Sequence, residues 1–109
     1  MSWFTRNSVS VNEAAAALAD GARLIDVRTA AEWKQGRAVG ATHMPPQRLE
    51  RQLNSPNGEL VLVICRSGNR SGQAAAMLRR AGVDAKNVRG GMLSWQRHQL
   101  PTTNGGSKR

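Results

Sequence analysis

At 109 residues the chain has room for one compact domain with a single core, and its longest aliphatic run, Leu60 to Ile64, is too short to cross a bilayer, so no membrane partner is expected. Sixteen Lys and Arg against seven Asp and Glu give a formal charge of +9 and favour anionic partners, while three Trp and one Phe leave little to stack bases, so nucleic acid is disfavoured. One cysteine excludes an internal disulfide, and with no apolar leader at its start the chain is expected in the cytoplasm, where a thiol stays reduced.

Along the chain, residues 1–7 read as an N-terminal extension, residues 8–101 as the folded domain and residues 102–109 as a flexible, frayed tail. Ser10 and Glu13 have capping-box spacing, which predicts a helix through Leu18 or Ala19. Asp20-Gly21 makes a turn, and Leu24 to Val27 reads as a short buried strand. Thr29 to Glu32 opens a second capping box for a helix that ends before Gly36, and Ala41 to Met44 gives a weak strand stopped by Pro45-Pro46. Arg48 to Leu53 suits a short helix, Asn54 to Gly58 a loop, and Leu60 to Ile64 the strongest strand. The segment from Ser71 to Gly82 has high helix propensity, with Arg79 and Arg80 in its last turn and a glycine at its stop. Asn87-Val88 suits a last strand, and Met92 to Gln99 a last helix halted by Pro101. Strands alternating with helices, without hairpin turn signals, predict an α/β fold with a mostly parallel sheet covered on both faces. Ligands of such sheets bind beyond the carboxyl ends of the strands, where Cys65 stands.

Cys65 is followed by Arg66-Ser67-Gly68-Asn69-Arg70-Ser71. A thiol delivered by a buried strand into a basic loop ahead of a helix is placed to lose its proton and to meet an anion. Without that loop, a cysteine ending a buried strand reads as a small hydrophobe. With it, Cys65 is the expected nucleophile.

Three segments together resemble the rhodanese, or sulfurtransferase, family: Asp26 to Trp33 with Gly36, Gly40-Ala41 and His43 to Pro45; the loop Cys65 to Ser71; and Arg89 to Met92 with Trp95. Arg37 and Ala38 depart from the His and Ile often found after the family's glycine, at positions that carry no chemistry. The resemblance implies a three-layer rhodanese-like α/β fold of about five strands and no cofactor. It also implies a double displacement. The Cys65 thiolate takes the outer sulfur of a small anionic donor, such as thiosulfate or a low-molecular-weight persulfide, and passes it to a thiol, cyanide or protein sulfur acceptor. Backbone N–H groups from Arg66 to Ser71 then form a nest around the sulfur, Gly68 permits its curvature, and Arg66 and Arg70 supply positive charge for the donor. Lowering a thiol pKa from about 8.5 to about 6.5 raises the thiolate fraction at neutral pH roughly 25-fold, but the lost nucleophilicity returns all but about threefold of that. Holding the donor and the persulfide is therefore the loop's larger contribution.

Asp26 and Arg28 are expected to support the site, Asp26 as a buried hydrogen-bond and charge partner; Arg28 and Glu32 also suit a simple pair at a helix start. His43 and His98 are expected to be ordinary packing or surface residues, because a preformed thiolate needs no base. Trp33 and Trp95 are expected core anchors. One cysteine and two widely separated histidines do not approach metal-ligand spacing.

A persulfide carrier or docking module that passes sulfur between proteins is the alternative function. Phosphatases and arsenate reductases with a similar cysteine loop are disfavoured, because Cys65 to Arg70 spans six residues where the phosphatase relatives have seven, and Ile64 replaces the histidine usual before their cysteine.

Overall fold

The computed structural model describes residues 6–49 and 58–104. In chain order the elements are β1 (Ser8–Val9), α1 (Val11–Ala19), β2 (Arg23–Asp26), α2 (Ala30–Gln35), β3 (Arg37–Ala38), β4 (Ala41–His43), β5 (Val61–Ile64), α3 (Asn69–Arg80), β6 (Ala85–Val88), α4 (Gly91–Arg97) and β7 (Thr102–Thr103). A single 3₁₀ turn, Pro46–Arg48, follows β4. Both predicted capping boxes form: Ser10 Oγ accepts from the Glu13 N–H at 3.1 Å and Thr29 Oγ1 from the Glu32 N–H at 3.2 Å, each glutamate returning to the cap's own N–H.

Five strands make one parallel sheet in the order β1-β6-β5-β2-β4. From β2 the chain first adds β4 on one side, then crosses to place β5 and β6 on the other. The order therefore reverses between β2 and β5, which is where a parallel sheet opens a crevice for a ligand. Side chains of β5 alternate between two cores. Leu62 and Ile64 pack with Val9, Val11, Leu24, Val88 and Trp95, whereas Val61, Val63 and Cys65 pack with Ile25, Val27, Ala75 and Leu78 of the α3 face. Burial on both faces explains the uninterrupted aliphatic run of β5.

Several expectations are corrected. The helix expected from Ser71 begins at Asn69, because Gly68 at φ +109° turns the chain straight into it. Thr102–Thr103, expected to start a frayed tail, pair antiparallel with Arg37–Ala38. Two-residue strands such as β1, β3 and β7 carry no periodicity to read. Trp95 is a core anchor at 1% exposure, but Trp33 is only half-buried, since α2 buries no side chain. Its ring instead stacks on His43, centroids 5.0 Å apart, under the Arg37 guanidinium at 4.3 Å. Of the helix expected over Arg48 to Leu53, residues 50–53 lie outside the described residues, as do residues 54–57 of the expected loop.

Candidate active site

Cys65 stands at the carboxyl end of β5 on the crevice between β2 and β5, with its residue 1% exposed. The sulfur accepts the Gly68 N–H at 3.1 Å and lies 3.2 Å from the Ser71 hydroxyl. Gly68, the N-cap of α3, offers the helix no side-chain cap, and its own N–H and that of Ser71 in the first turn face the sulfur. Burial pushes the thiol pKa up. Hydrogen bonds from the Ser71 hydroxyl and from the Ser71, Gly68 and Ser67 N–H groups outweigh that, so the thiol lies below its ordinary value. The nest does more of this work than the arginine charges, although the Arg70 cation also interacts with the Cys65 thiolate.

The two arginines of the loop differ. Arg70 is clamped by Glu32, with Nη1 to Oε1 at 2.8 Å and Nη2 to Oε2 at 3.0 Å. This bidentate pair holds the Glu32 carboxyl at about 2, mainly through the Arg70 hydrogen bond, and raises the Arg70 pKa in turn. Glu32 therefore pairs with Arg70 and not with Arg28, as the helix-start spacing had suggested. Arg66 is exposed and, among the described residues, pairs with no carboxylate. It borders a cleft of about 210 Å³ shared with Arg28, Glu32, Met92 and Leu93. Ser67 and Asn69 are exposed on the outer side of the loop.

Asp26 and Arg28 form a buried pair beside the site. Arg28 Nε bonds both Asp26 oxygens at 3.0 Å, its backbone N–H bonds Oδ1 at 2.9 Å, and Nη2 donates to the Gly36 carbonyl at 2.7 Å. Asp26 is 0% exposed and in register with Ile64, and the Val27 N–H donates to the Ile64 carbonyl at 3.0 Å. The pair thus locks the turn next to the cysteine's own strand. His43 Nε2 donates to the Arg28 carbonyl at 2.7 Å, which makes it a brace of this turn, while His98 is exposed at the end of α4.

Two residues went unread as parts of the site. Asn87 on β6 sets its Oδ1 2.6 Å from the Ser71 Oγ, where it competes with the Cys65 sulfur for the one hydroxyl proton, and its Nδ2 donates to the Gly68 carbonyl at 3.1 Å, so it ties both ends of the sulfur nest. A polar, β-poor residue in a buried parallel strand was its only signal. Gly91 is the second. A Cβ there would lie 2.4 Å from the Cys65 carbonyl oxygen and 2.5 Å from that of Arg66. With no Cβ, the start of α4 closes on the loop, and the Met92 and Leu93 N–H groups donate to those same carbonyls at 2.8 and 3.0 Å. The Gly90-Gly91 pair was visible in the sequence, but its reason is a long-range contact.

Residues 10–98 match the Rhodanese-like domain family. A protein of Allochromatium vinosum named sulfurtransferase is 40% identical over 80 residues, covering 72% of this chain and 75% of that one. Thiosulfate sulfurtransferase 16 of Arabidopsis thaliana, a chloroplastic protein, is 38% identical over 111 residues, covering 88% and 92%. The crystal structure of a rhodanese-like domain protein from Staphylococcus aureus superposes with a TM-score of 0.73 at 32% identity, covering 83% of this chain and 91% of that one. The chain belongs to the rhodanese-like domain family.

Proposed function

We propose that the protein is a sulfurtransferase that moves sulfane sulfur from a small anionic donor to a thiol or cyanide acceptor through a persulfide on Cys65, in the cytoplasm or another reducing compartment. The observation that carries this reading is the sulfur of Cys65 set at the uncapped start of α3, 3.1 Å from the Gly68 N–H and 3.2 Å from the Ser71 hydroxyl.

The Cys65 thiolate attacks the outer sulfur of thiosulfate. A new S–S bond forms, the donor's S–S bond breaks, and sulfite leaves with its electron pair. The persulfide's outer sulfur inherits the negative charge and meets the N–H donors of the nest, with Arg66 at the mouth for the departing anion. An acceptor thiolate then attacks that outer sulfur, and Cys65 leaves as thiolate. No acid or base is needed in either step, in keeping with His43 and His98 being engaged elsewhere. Asp26, Arg28, Asn87 and Gly91 are positioning residues that hold the turns around the cysteine.

Intact-mass spectrometry after mixing with thiosulfate tests this: wild type should gain one sulfur and Cys65→Ser none. No adduct with thiosulfate, polysulfide or a low-molecular-weight persulfide sinks the reading. The six-residue loop also favours a sulfur atom over a tetrahedral oxyanion, so aryl phosphate turnover lost in Cys65→Ala is the result that would favour a phosphatase instead. A carrier that exchanges sulfur with proteins is the second reading. It is favoured by the Glu32 clamp on Arg70, which leaves a doubly charged small donor only Arg66 as a loop cation without a carboxylate partner among the described residues.

A further inference from the structure

The face around the cysteine mouth combines exposed apolar surface with free positive charge. Leu93 supplies the apolar part at 40% exposure; the other large hydrophobic side chain exposed among the described residues, Val39, borders a separate apolar pocket with Leu18 and Pro101. Leu93 stands on α4 directly over the loop, its N–H bonded to the Arg66 carbonyl. It forms a ridge between two clefts. One is the cleft of about 210 Å³ that contains Arg66. The other, about 390 Å³, runs from Ser67 of the cysteine loop past Arg89 and Gly90 to Arg97 and His98, and no carboxylate lines it. Leu93 and Arg97 are one helical turn apart on the same face of α4.

None of these cations is in a salt bridge with a carboxylate among the described residues. Arg89 donates to the Ser8 hydroxyl at 3.0 Å, and Glu13, which feels its charge, is held by Arg6 at 2.7 Å. A small anion would fill one cleft and leave the other, and it would gain nothing from Leu93. An exposed leucine with arginines on either side has the anatomy of a protein contact, apolar at its centre and charged at its rim.

We propose that the ridge of Leu93, flanked by Arg66, Arg89 and Arg97, docks an acidic segment of the protein that takes sulfur from Cys65, with an apolar side chain of that segment on Leu93 and its carboxylates in the two clefts. The identity of the partner as a sulfur acceptor rests on the function proposed above; the docking itself is read separately.

Two fluorescein-labelled peptides of equal length test it, each carrying one cysteine and one leucine, flanked by glutamates in one and by lysines in the other. Anisotropy against the full chain at low salt should show the glutamate peptide binding about tenfold or more tightly, with the preference shrinking as salt rises. Arg97→Glu should lose several-fold of that affinity, and Leu93→Ser should weaken it as well. Arg80→Glu is the control: exposed at the far end of α3, roughly 18 Å along the helix from the loop, it changes the net charge equally. Equal binding of both peptides, or equal losses in Arg97→Glu and Arg80→Glu, overturns the proposal. In a second arm, protein loaded with sulfur from thiosulfate should deliver it to the glutamate peptide several-fold more slowly in Arg97→Glu, while delivery to uncharged 2-mercaptoethanol stays unchanged. Failure of thiosulfate and persulfides to load sulfur refutes the transfer reading, whereas loss of peptide preference with normal loading refutes the docking face alone.

Discussion

β2 and β5 lie side by side and release the chain at the same edge of the sheet, each through a short turn into a helix, yet the two turns are finished in opposite ways. The β2–α2 turn satisfies itself: Asp26 is taken by Arg28, and the first turn of α2 is capped by Thr29 and Glu32. The β5–α3 turn has glycine at the cap and no side-chain acceptor, so its N–H groups converge on the Cys65 sulfur. The proposed chemistry sits where a helix start is left open, and the closed turn beside it supplies rigidity.

The largest effect should come from opening the closed turn. Arg28→Ala leaves the Asp26 carboxylate buried without its cation and the Gly36 carbonyl without its donor, which should cost about 3–5 kcal/mol of unfolding free energy measured by urea denaturation. A loss below about 1 kcal/mol would mean that the pair does not hold this turn. Gly91→Ala attacks the open turn from the other side. Its Cβ would meet two backbone carbonyls at 2.4 and 2.5 Å from a residue at φ +56°, so we expect about 2–4 kcal/mol of destabilisation and slowed persulfide loading in whatever remains folded. Thr29→Ala is smaller, about 1 kcal/mol, because it removes one cap on a half-exposed helix. Its loading rate should match wild type, since that cap belongs to the closed turn.

Ser71→Ala separates the nest from mere packing. Because the thiolate is the reactive form, the alkylation rate of Cys65 should rise with pH and level off above its pKa, on the acid side of a free thiol. Removing the hydroxyl leaves the burial that pushes the pKa up and takes away the strongest interaction that pulls it down. The curve should therefore move to higher pH. Below both midpoints the rate falls by less than the thiolate fraction does, since the more basic thiolate is also the better nucleophile. An unshifted profile would assign the lowering to the backbone N–H groups alone.

The parts of this comparison that rest on local chemistry were legible in the sequence. Ser10 with Glu13 and Thr29 with Glu32 declared their caps, the aliphatic run declared β5, and Cys65 to Ser71 declared the loop. What escaped was set by tertiary contact. Glu32 and Arg70 are 38 positions apart, and nothing in either segment shows that the capping glutamate of α2 also neutralises a loop arginine. Asn87 reaches Ser71 only because β6 lies beside β5, and Gly91 matters only because α4 returns over the loop. Trp33 was misread for the opposite reason: a tryptophan suggests a core, but the short α2 has none to offer.

The smallest effect concerns the bond that joins the two turns. Glu32→Gln keeps the shape of the side chain and removes its charge, so the Arg70 cation is released toward the cysteine mouth. An exposed pair of this kind is worth little to stability, which should change by less than about 1 kcal/mol. Its consequence is for the donor: thiosulfate meets two free cations instead of one, so kcat/KM for thiosulfate should rise about two- to fivefold and fall more steeply with salt. The acceptor step with cyanide should not change. In wild type the Glu32 carboxyl, held at about 2 against an ordinary 4.5, contributes stability that is complete above about pH 4.5 and is lost as pH falls through about 2. The clamp is therefore fully formed from about pH 5 to 8, and the gain in Glu32→Gln should be constant across that range while Cys65 ionisation alone shapes the profile. A decrease in kcat/KM would reverse the assignment, making Arg70 useful because Glu32 aims it rather than idle because Glu32 occupies it.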